Sequence, residues 1–244
     1  MRDDTLILCY HAVSESWPAD LSLPPADFER QIRAKLAAGY TGVTLARSQA
    51  GDRPARCLVV TFDDGYLSTL TIGAPILERL GVPATLFVPS DYMGRDEPMA
   101  WPGIERWGDG PHRGELTPLS WGEVGELARA GWEIGSHTCS HPRLTQLSDE
   151  DLARELHDSR ARIGAELGRE PVSIAYPYGD VDARVAAAAA ACGYAFGVGL
   201  PARWAPGFDR MQLPRVGVYN GQGRLKFALK TSRRVRRARQ LARR

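Results

Sequence analysis

The sequence predicts a single α/β domain whose parallel strands form a barrel covered by helices. Apolar, strand-like runs alternate with amphipathic, helix-like stretches along most of the chain, which is typical of a parallel sheet covered on its faces. No glycine-rich dinucleotide fingerprint is present, so a barrel fits better than an open doubly wound sheet. The 244 residues, of which 43% are hydrophobic, suffice for a sizeable core.

The N-terminal half reads as strand, helix, strand, helix, strand. In the first helix, Phe28, Ile32 and Leu36 have helical spacing and Gly39 ends the pattern. Gly81 ends the second helix in the same way. The predicted ranges are strands at 5–13, 57–65 and 83–90 and helices at 25–39 and 75–81.

The C-terminal half repeats the alternation after a long insert at residues 91–121. Ser120 is a candidate N-cap, and the longest helix opens on a capping box from Ser148 to Asp151. The insert is rich in Gly, Pro and Trp, and loops of this length are usually functional or disordered. Its tryptophans argue against disorder. The predicted ranges are helices at 120–131, 148–168 and 182–193 and strands at 132–137, 172–179, 194–200 and 213–219.

The net charge of +2 conceals an asymmetry along the chain. Residues 224–244 contain ten Arg or Lys and no acid, so the rest of the chain carries a net charge of about −8. We expect residues 1–222 to form the domain and residues 223–244 a basic C-terminal helix or tail. That tail is either solvated or docked on the acidic body, or it rests on an anionic membrane surface. The acidic body argues against nucleic-acid binding, for which basic and aromatic residues interleave.

The four cysteines are scattered and form no CxxC pair, so we expect free thiols rather than a disulfide framework. The first residues combine acids with a short apolar run, which is unlike a secretion signal. No stretch approaches the ~20 apolar residues that span a bilayer. We therefore expect a cytoplasmic chain, with membrane association through the basic tail as an additional hypothesis.

Polar side chains follow the predicted strands at their carboxyl ends. In parallel α/β folds ligands bind at this edge, so these side chains are expected to converge on one rim. The residues concerned are Tyr10, His11, Asp63, Asp64, His137, His141, Tyr176, Tyr178, Asp180 and Arg215.

Four of these residues predict a metal site. Asp63 and Asp64 are adjacent carboxylates that require a positive partner, and His137 and His141 share one face of a helical or tight-turn segment. Two His and one Asp hold a divalent ion and leave positions for water and substrate. The same set occurs in non-haem iron oxygenases, but that reading leaves the second Asp unexplained. With Asp64 as the ligand, Asp63 can take a proton from an activated water, as amide or ester hydrolysis requires.

The motifs TFDDG at 61–65 and HTCSH at 137–141, with AYPYG at 175–179 as a partial third, resemble those of the polysaccharide deacetylase family, also called carbohydrate esterase family 4. The resemblance covers roughly residues 5–220. It implies a distorted (β/α) barrel with seven strands. It also implies a hydrolase that removes acetyl groups from N-acetylglucosamine units of glycans. Zn²⁺, or Co²⁺, Ni²⁺ or Fe²⁺ in its place, is the implied metal.

The resemblance also implies individual roles. It assigns the metal to Asp64, His137 and His141, the general base to Asp63, and an oxyanion contact to the backbone N–H of Tyr178. Such a contact typically contributes ~2.7–4 kcal/mol of transition-state stabilisation.

The chain departs from the family pattern at two points. Ala175 stands where the third motif has an Arg that orients the base, and no His after His157 is available as the general acid. The start CYHAV resembles a sub-branch, including enzymes acting on poly-β-1,6-N-acetylglucosamine, in which an early Tyr-His supplies the acid. We therefore predict His11 as the acid, with His112 as the other candidate and a purely structural His11 as the alternative. Arg215 is the candidate partner of Asp63, unless it forms a structural salt bridge.

The expected function is thus metal-dependent deacetylation of an acetylated amino-sugar glycan or a soluble or lipid-linked precursor. The alternatives are an amidohydrolase acting on a non-carbohydrate N-acyl compound and a non-catalytic glycan-binding relative. Trp101, Trp107 and Trp121 are expected either to stack on sugar faces or, as is more common for loop tryptophans, to pin the insert to the core.

Overall fold

The computed structural model describes residues 4–200 and 209–242. Within these ranges, parallel strands form one curved sheet that nearly closes into a barrel, and β2 and β3 form a separate small pair. The strands are β1 (Asp4–Tyr10), β2 (Ala12–Val13), β3 (Ser22–Leu23), β4 (Thr41–Gly42), β5 (Arg56–Phe62), β6 (Ala84–Val88), β7 (Glu133–Ser136), β8 (Ser173–Ala175), β9 (Phe196–Gly199), β10 (Leu213–Pro214) and β11 (Val216–Gly217).

Helices follow most of the strands and cover the outside of the sheet. Ser120 caps the fourth helix in a capping box with Glu123, and Ser148 caps the fifth by accepting from the Asp151 backbone N–H, which confirms both residues as N-caps. The predicted box from Ser148 to Asp151 forms only in part, because the Asp151 carboxylate accepts from the Ser148 hydroxyl at 2.9 Å and not from the Ser148 backbone. The helices are α1 (Pro25–Ala37), α2 (Leu45–Ser48), α3 (Ala74–Arg79), α4 (Trp121–Arg129), α5 (Asp149–Leu167), α6 (Ala183–Ala191), α7 (Arg224–Thr231) and α8 (Arg233–Ala242). No helix in the described ranges has the length and apolarity needed to cross a bilayer.

The strand register places the carboxyl ends of the strands on one rim. The order in the sheet is β10-β9-β8-β7-β6-β5-β1-β11, with β4 paired beside β5, and every ladder is parallel. Tyr10 of β1 is opposite Phe62 of β5, so His11 and Asp63 leave their strands side by side. This is the convergence that the sequence predicts.

The barrel closes through the stretch 213–217. Leu213 and Pro214 pair with β9, whereas Val216 and Gly217 pair with β1. Arg215 lies at the change of partner, and its backbone N–H donates to the Gly199 carbonyl at 3.1 Å. All seven predicted strands are present. The described sheet contains nine because this last one is divided in two and because β4 adds a two-residue strand.

Both faces of the strands are buried, as continuous apolar runs predict. In β1, Leu6 and Leu8 belong to the large core between sheet and helices, while Ile7 packs with Val59 and Phe87 in a second cluster. The insert is folded against the larger core. Its buried side chains include Met99, Trp101, Ile104, Leu116 and Leu119.

The basic C-terminal segment packs on the barrel as two helices. Phe227 of α7 is 6% exposed and belongs to the main core, and Lys230 donates to the Gly217 carbonyl at 2.7 Å. In α8, Arg236 forms an ion pair with Asp4 at 2.7 Å. The part of this segment that is described is therefore docked on the acidic body.

Candidate active site

One cavity of about 610 Å³ opens at the carboxyl rim of the barrel. Most of the predicted rim residues line it: His11, Asp63, Asp64, His137, His141, Tyr176, Tyr178 and Arg215. Two predicted rim residues, Tyr10 and Asp180, do not line this cavity. Tyr10 is buried and donates to Gln31 at 2.8 Å, and Asp180 accepts from Thr145 at 2.6 Å.

Asp64, His137 and His141 form a compact set of three possible ligands. The Asp64 Oδ1 atom is 3.3 Å from His137 Nε2 and 3.5 Å from His141 Nε2. Nδ1 of His137 is 2.7 Å from the Ala175 carbonyl oxygen, and that oxygen can only accept. The Nδ1–H bond therefore leaves the Nε2 lone pair of His137 directed at Asp64, as metal ligation requires.

The chemistry of this set fits a divalent metal. Its ligand atoms lie within 4.8 Å of one another, and the Asp64 Oδ1 atom is buried without a hydrogen-bond partner among the described residues. A buried anionic oxygen without a donor is costly unless a cation neutralises it. Two imidazole nitrogens and one carboxylate suit Zn²⁺ and also Co²⁺, Ni²⁺ or Fe²⁺.

The pKa shifts of Asp64, His137 and His141 also fit a metal site. Burial by itself raises the pKa of Asp64, but His137, His11 and His141 together outweigh burial and lower it. Burial lowers the pKa of His141 to about 3, so its imidazole is neutral and has a free lone pair. Burial also lowers the pKa of His137, yet the charges of Asp63 and Asp64 outweigh burial and raise it. The two carboxylates therefore stabilise positive charge next to them, and His141 contributes a neutral nitrogen.

Backbone strain is concentrated at this site. Within the described ranges four non-glycine residues have φ between 58° and 72°: Asp64, Thr138, His141 and Tyr178. All four lie in or between the motifs, and two of them are candidate ligands. Left-handed backbone is unfavourable for such residues and persists where the surrounding structure enforces it, commonly at functional sites. The histidine pair is thus held by a strained loop, not by a helical turn.

Two side chains from outside the motifs hold this loop. Glu155 of α5 accepts from the backbone N–H groups of Cys139 at 2.8 Å and Ser140 at 3.0 Å. Trp101 of the insert stacks on the His141 ring, with centroids 4.3 Å apart. Trp101 is 6% exposed and belongs to the main core, which agrees with the predicted core-packing alternative. Its contact with His141 adds a role as the support of a candidate ligand.

The other two tryptophans of the insert differ from Trp101. Trp107 lies edge-on to Trp17, with centroids 5.9 Å apart, at the mouth of the cavity. Trp121 begins α4 and lies outside this cavity.

Asp63 is held by Arg215 and not by a motif residue. The two guanidinium nitrogens of Arg215 donate to the two Asp63 oxygens, each at 2.6 Å. Both side chains are buried. Burial by itself raises the pKa of Asp63, but the charge and hydrogen bonds of Arg215, together with nearby His137 and His11, outweigh burial and hold the pKa well below its ordinary range. Asp63 is therefore ionised and fixed in orientation. Arg215 thus makes the contact with Asp63 that was predicted for it, in place of the Arg that Ala175 replaces in the third motif.

His11 and Tyr178 approach the set from two sides. His11 is half-buried beside Asp63 and Cys9, and its Nδ1 has no hydrogen-bond partner among the described residues. The Tyr178 ring lies 4.7 Å from the His141 ring, and its hydroxyl donates to the Pro102 carbonyl at 3.0 Å. The remaining histidines do not line the cavity. His112 packs on Trp107 outside the cavity lining, and His157 is exposed on α5.

Comparison with known proteins identifies the family. The polysaccharide deacetylase profile matches residues 50–197, which include all three motifs. The chain belongs to the polysaccharide deacetylase family. Among solved structures, the Streptococcus pyogenes deacetylase PplD in complex with acetate superposes with a TM-score of 0.76 at 22% identity, over 93% of this chain and 98% of that one. The two proteins share the same fold.

Two curated sequence relatives of this polysaccharide deacetylase family member are longer than the region that matches it. YxkH of Bacillus subtilis, a candidate polysaccharide deacetylase, is 27% identical over 197 residues, covering 79% of this chain. A Staphylococcus aureus poly-β-1,6-N-acetyl-D-glucosamine N-deacetylase is 23% identical over 171 residues, covering 65% of this chain. The match covers 63% of the Bacillus relative and 54% of the Staphylococcus relative.

Proposed function

We propose that this chain is a metal-dependent hydrolase that removes acetyl groups from N-acetylated amino sugars. The observation that carries the proposal is an ionised Asp63, fixed by Arg215, beside three buried metal-ligand side chains in one cavity. Family membership and the Staphylococcus aureus relative, named for removing acetyl groups from a polymer of N-acetylglucosamine, support the substrate class. A non-catalytic relative would be expected to lack one of these groups, and all are present.

Asp64, His137 and His141 would hold the metal, Zn²⁺ or Co²⁺, Ni²⁺ or Fe²⁺ in its place. When bound, such an ion supplies a Lewis acid that makes water acidic and polarises a carbonyl. Asp63 accepts the proton that the attacking water loses as its oxygen bonds to the acetyl carbon. Arg215 occupies both Asp63 oxygens, so the carboxylate stays ionised and cannot rotate.

His11 and Tyr178 would complete the reaction. The carbon–nitrogen bond breaks as His11 gives a proton to the departing amine, which yields acetate and the free amino sugar. The backbone N–H of Tyr178 donates to the oxygen that gains negative charge on the acetyl carbon. The strained backbone of Tyr178 sets the direction of that N–H.

Acetate release from a panel of acetylated sugars, with and without a chelator, tests the function. We expect release from N-acetylglucosamine oligomers that stops with chelator and returns with added Zn²⁺. The panel includes a non-carbohydrate N-acetyl compound. Release from that compound alone would favour the amidohydrolase alternative.

We also propose that the C-terminal helices rest on an anionic membrane surface. Leu225 and Leu229 project one turn apart from α7 and are 88% and 62% exposed. Arg224 and Lys226 flank them, and the whole segment 224–244 contains no acid. An apolar face bordered by basic residues suits a bilayer with anionic lipid. The cytoplasmic location stays a prediction.

Sedimentation with vesicles tests this association. The protein is expected to pellet with vesicles of phosphatidylcholine and phosphatidylglycerol but not with phosphatidylcholine alone. Leu225→Ser with Leu229→Ser should abolish pelleting, whereas Val172→Ser, at another exposed apolar residue, should not. Equal pelleting with neutral vesicles would contradict the charge-based part of the proposal.

A further inference from the structure

Two arginines, Arg106 and Arg143, lie at the mouth of the active-site cavity without an acidic partner. Both side chains line the cavity and are exposed. Within the described ranges neither forms an ion pair or a side-chain hydrogen bond, although exposed arginines elsewhere in the chain commonly pair with Asp or Glu, as Arg47 does with Asp52. The charge of these two guanidinium groups is therefore available to a ligand.

The two arginines are positioned by aromatic rings. The Arg143 guanidinium carbon lies 4.2 Å from the centre of the Tyr178 ring, and that of Arg106 lies 5.0 Å from the centre of the Trp107 ring. Stacking of this kind restrains a guanidinium while leaving N–H groups at its edge free to donate.

Arg143 is close to the reacting centre. The Tyr178 ring beneath its guanidinium is 4.7 Å from the His141 ring, so a single aromatic ring separates Arg143 from a candidate metal ligand. Arg143 also follows His141 by two residues in the same strained loop, which fixes its starting position. A substrate whose acetamido group reaches the ligands would therefore place a substituent of the same or the neighbouring sugar near Arg143.

The charge at this rim is opposite to that at the cavity floor. The floor holds the ionised Asp63 and Asp64, and the remaining acid in the lining is Asp20. Neutral sugar hydroxyls do not require two unpaired guanidinium groups. Carboxylates and phosphates match the geometry of the guanidinium fork and form charge-assisted hydrogen bonds with it.

We infer that Arg143, assisted by Arg106, forms an anion subsite, and that the substrate is an acetylated amino sugar carrying a carboxylate or a phosphate on the same or the adjoining unit. This inference rests on the proposed deacetylase function and deepens it. Arg143 acts here as a specificity-determining residue.

Three tetrasaccharides of equal length test the subsite. They are acetylated chitotetraose, which is neutral, its 1-phosphate, and a tetrasaccharide alternating N-acetylglucosamine with N-acetylmuramic acid, which carries carboxylates. With zinc-loaded enzyme at low salt, we expect kcat/KM for at least one charged compound to exceed that for chitotetraose about 10- to 100-fold, as a charge-assisted hydrogen bond provides. Which charged compound gains identifies the anion.

Variants separate the subsite from general damage. Arg143→Ala should remove most of the gain for the charged compound, and Arg143→Lys should restore only part of it because the fork is lost. Arg95→Ala is the matched control, since Arg95 also lies over an aromatic ring, that of Tyr92 at 5.1 Å, but outside the cavity. It should leave all three rates unchanged.

Binding without turnover provides a second measurement. Calorimetry with zinc-loaded Asp63→Asn protein should show tighter binding of the favoured charged tetrasaccharide, and adding Arg143→Ala should weaken that binding about tenfold or more. Equal rates and equal binding for neutral and charged compounds would overturn the subsite while leaving the deacetylase function in place. Absence of acetate release from all three compounds would count against the proposed function itself, and the inference would fall with it.

Discussion

Asp63, the proposed base, has an unusually low affinity for protons. The Arg215 fork occupies both of its oxygens, so protonation requires the loss of a buried ion pair. A low pKa makes a carboxylate a weaker base but keeps it ionised at any physiological pH. In the proposed mechanism a weak base suffices, because a bound metal would make the attacking water more acidic.

Replacing Asp63 with Asn should separate metal binding from catalysis. The amide keeps the shape of the side chain but cannot accept the proton, so we expect acetate release to fall at least about 10²-fold. Bound zinc, measured on the same sample by elemental analysis, should stay near one per chain, whereas Asp64→Asn should lose it. Wild-type turnover by Asp63→Asn would refute the base assignment.

His11 should matter in proportion to the basicity of the leaving group. His11→Ala removes the proposed proton donor, so cleavage of an acetamido sugar should slow by about 10² or more, while cleavage of an activated aryl acetate should change little. The comparison uses the same zinc-loaded preparation for both substrates, with His157→Ala as the control. Equal losses on the two substrates would remove His11 as the acid.

Glu155 should act on metal affinity, since it holds the loop between the two histidines. Glu155→Gln weakens the hydrogen bonds to the backbone of Cys139 and Ser140. We expect zinc affinity to fall about 10- to 100-fold, which is typical when a residue that orients metal ligands is replaced. Competition with a chromogenic chelator measures this directly. Glu150→Gln on the same helix is the control, and equal affinities of the two variants would exclude the role.

At the scale of elements, α5 shows how far local sequence signals reach. Its predicted limits, 148–168, agree with a helix at Asp149–Leu167, capped by Ser148 and followed by a left-handed Gly168. Cap and stop signals are local, so they can be read from a few letters. The contact from Glu155 to the Cys139–Ser140 backbone depends on how the helix packs, so the sequence around Glu155 does not predict it.

The candidate site shows the same division. Asp63, Asp64 and the two histidines could be found because strand-end position and spacing are sequence properties. Arg215 could be proposed because its strand leads to the same rim. The contact of Trp101 with His141 could not be predicted, since only the folding of the 91–121 insert brings the two rings together. The left-handed backbone at Thr138 and Tyr178 also lacked a signal, because glycine is the usual marker of that conformation.

Ser148→Ala should destabilise the domain through α5. The Asp151 N–H loses its acceptor, which typically costs about 1 kcal/mol. The free energy of unfolding, from urea denaturation of the metal-loaded protein, measures the effect. Ser148→Asn retains a capping oxygen and should recover most of it, so an equal loss in both variants would assign the effect to something other than capping.

At the scale of the whole molecule, the two ends of the described chain are held together by charge. Asp4, which begins β1, pairs with Arg236 of α8 and also accepts a hydrogen bond from Tyr40. Burial by itself raises the pKa of Asp4, but Tyr40 and Arg236 outweigh burial and lower it from 3.8. The folded state therefore binds this proton less tightly than the unfolded state.

Acid should consequently release this link. A carboxyl with a lowered folded-state pKa stabilises the fold fully above its unfolded pKa and loses that contribution as pH falls through the folded value. The difference in unfolding free energy between wild type and Asp4→Asn should thus be constant near neutrality and shrink below about pH 4. Urea titrations over that range test it. Asp52→Asn, at an exposed ion pair, should show a much smaller difference.

The change of strand partner at Arg215 has an additional consequence. Residues 213–217 join the two edges of the sheet, and Arg215 within this stretch forms the ion pair with Asp63, the proposed base. A ligand or mutation that separates β9 from β1 would move the Arg215 guanidinium away from Asp63. We expect this to abolish activity even when nothing occupies the active-site cavity. Closure of the barrel and the orientation of Asp63 therefore depend on the same residue, Arg215.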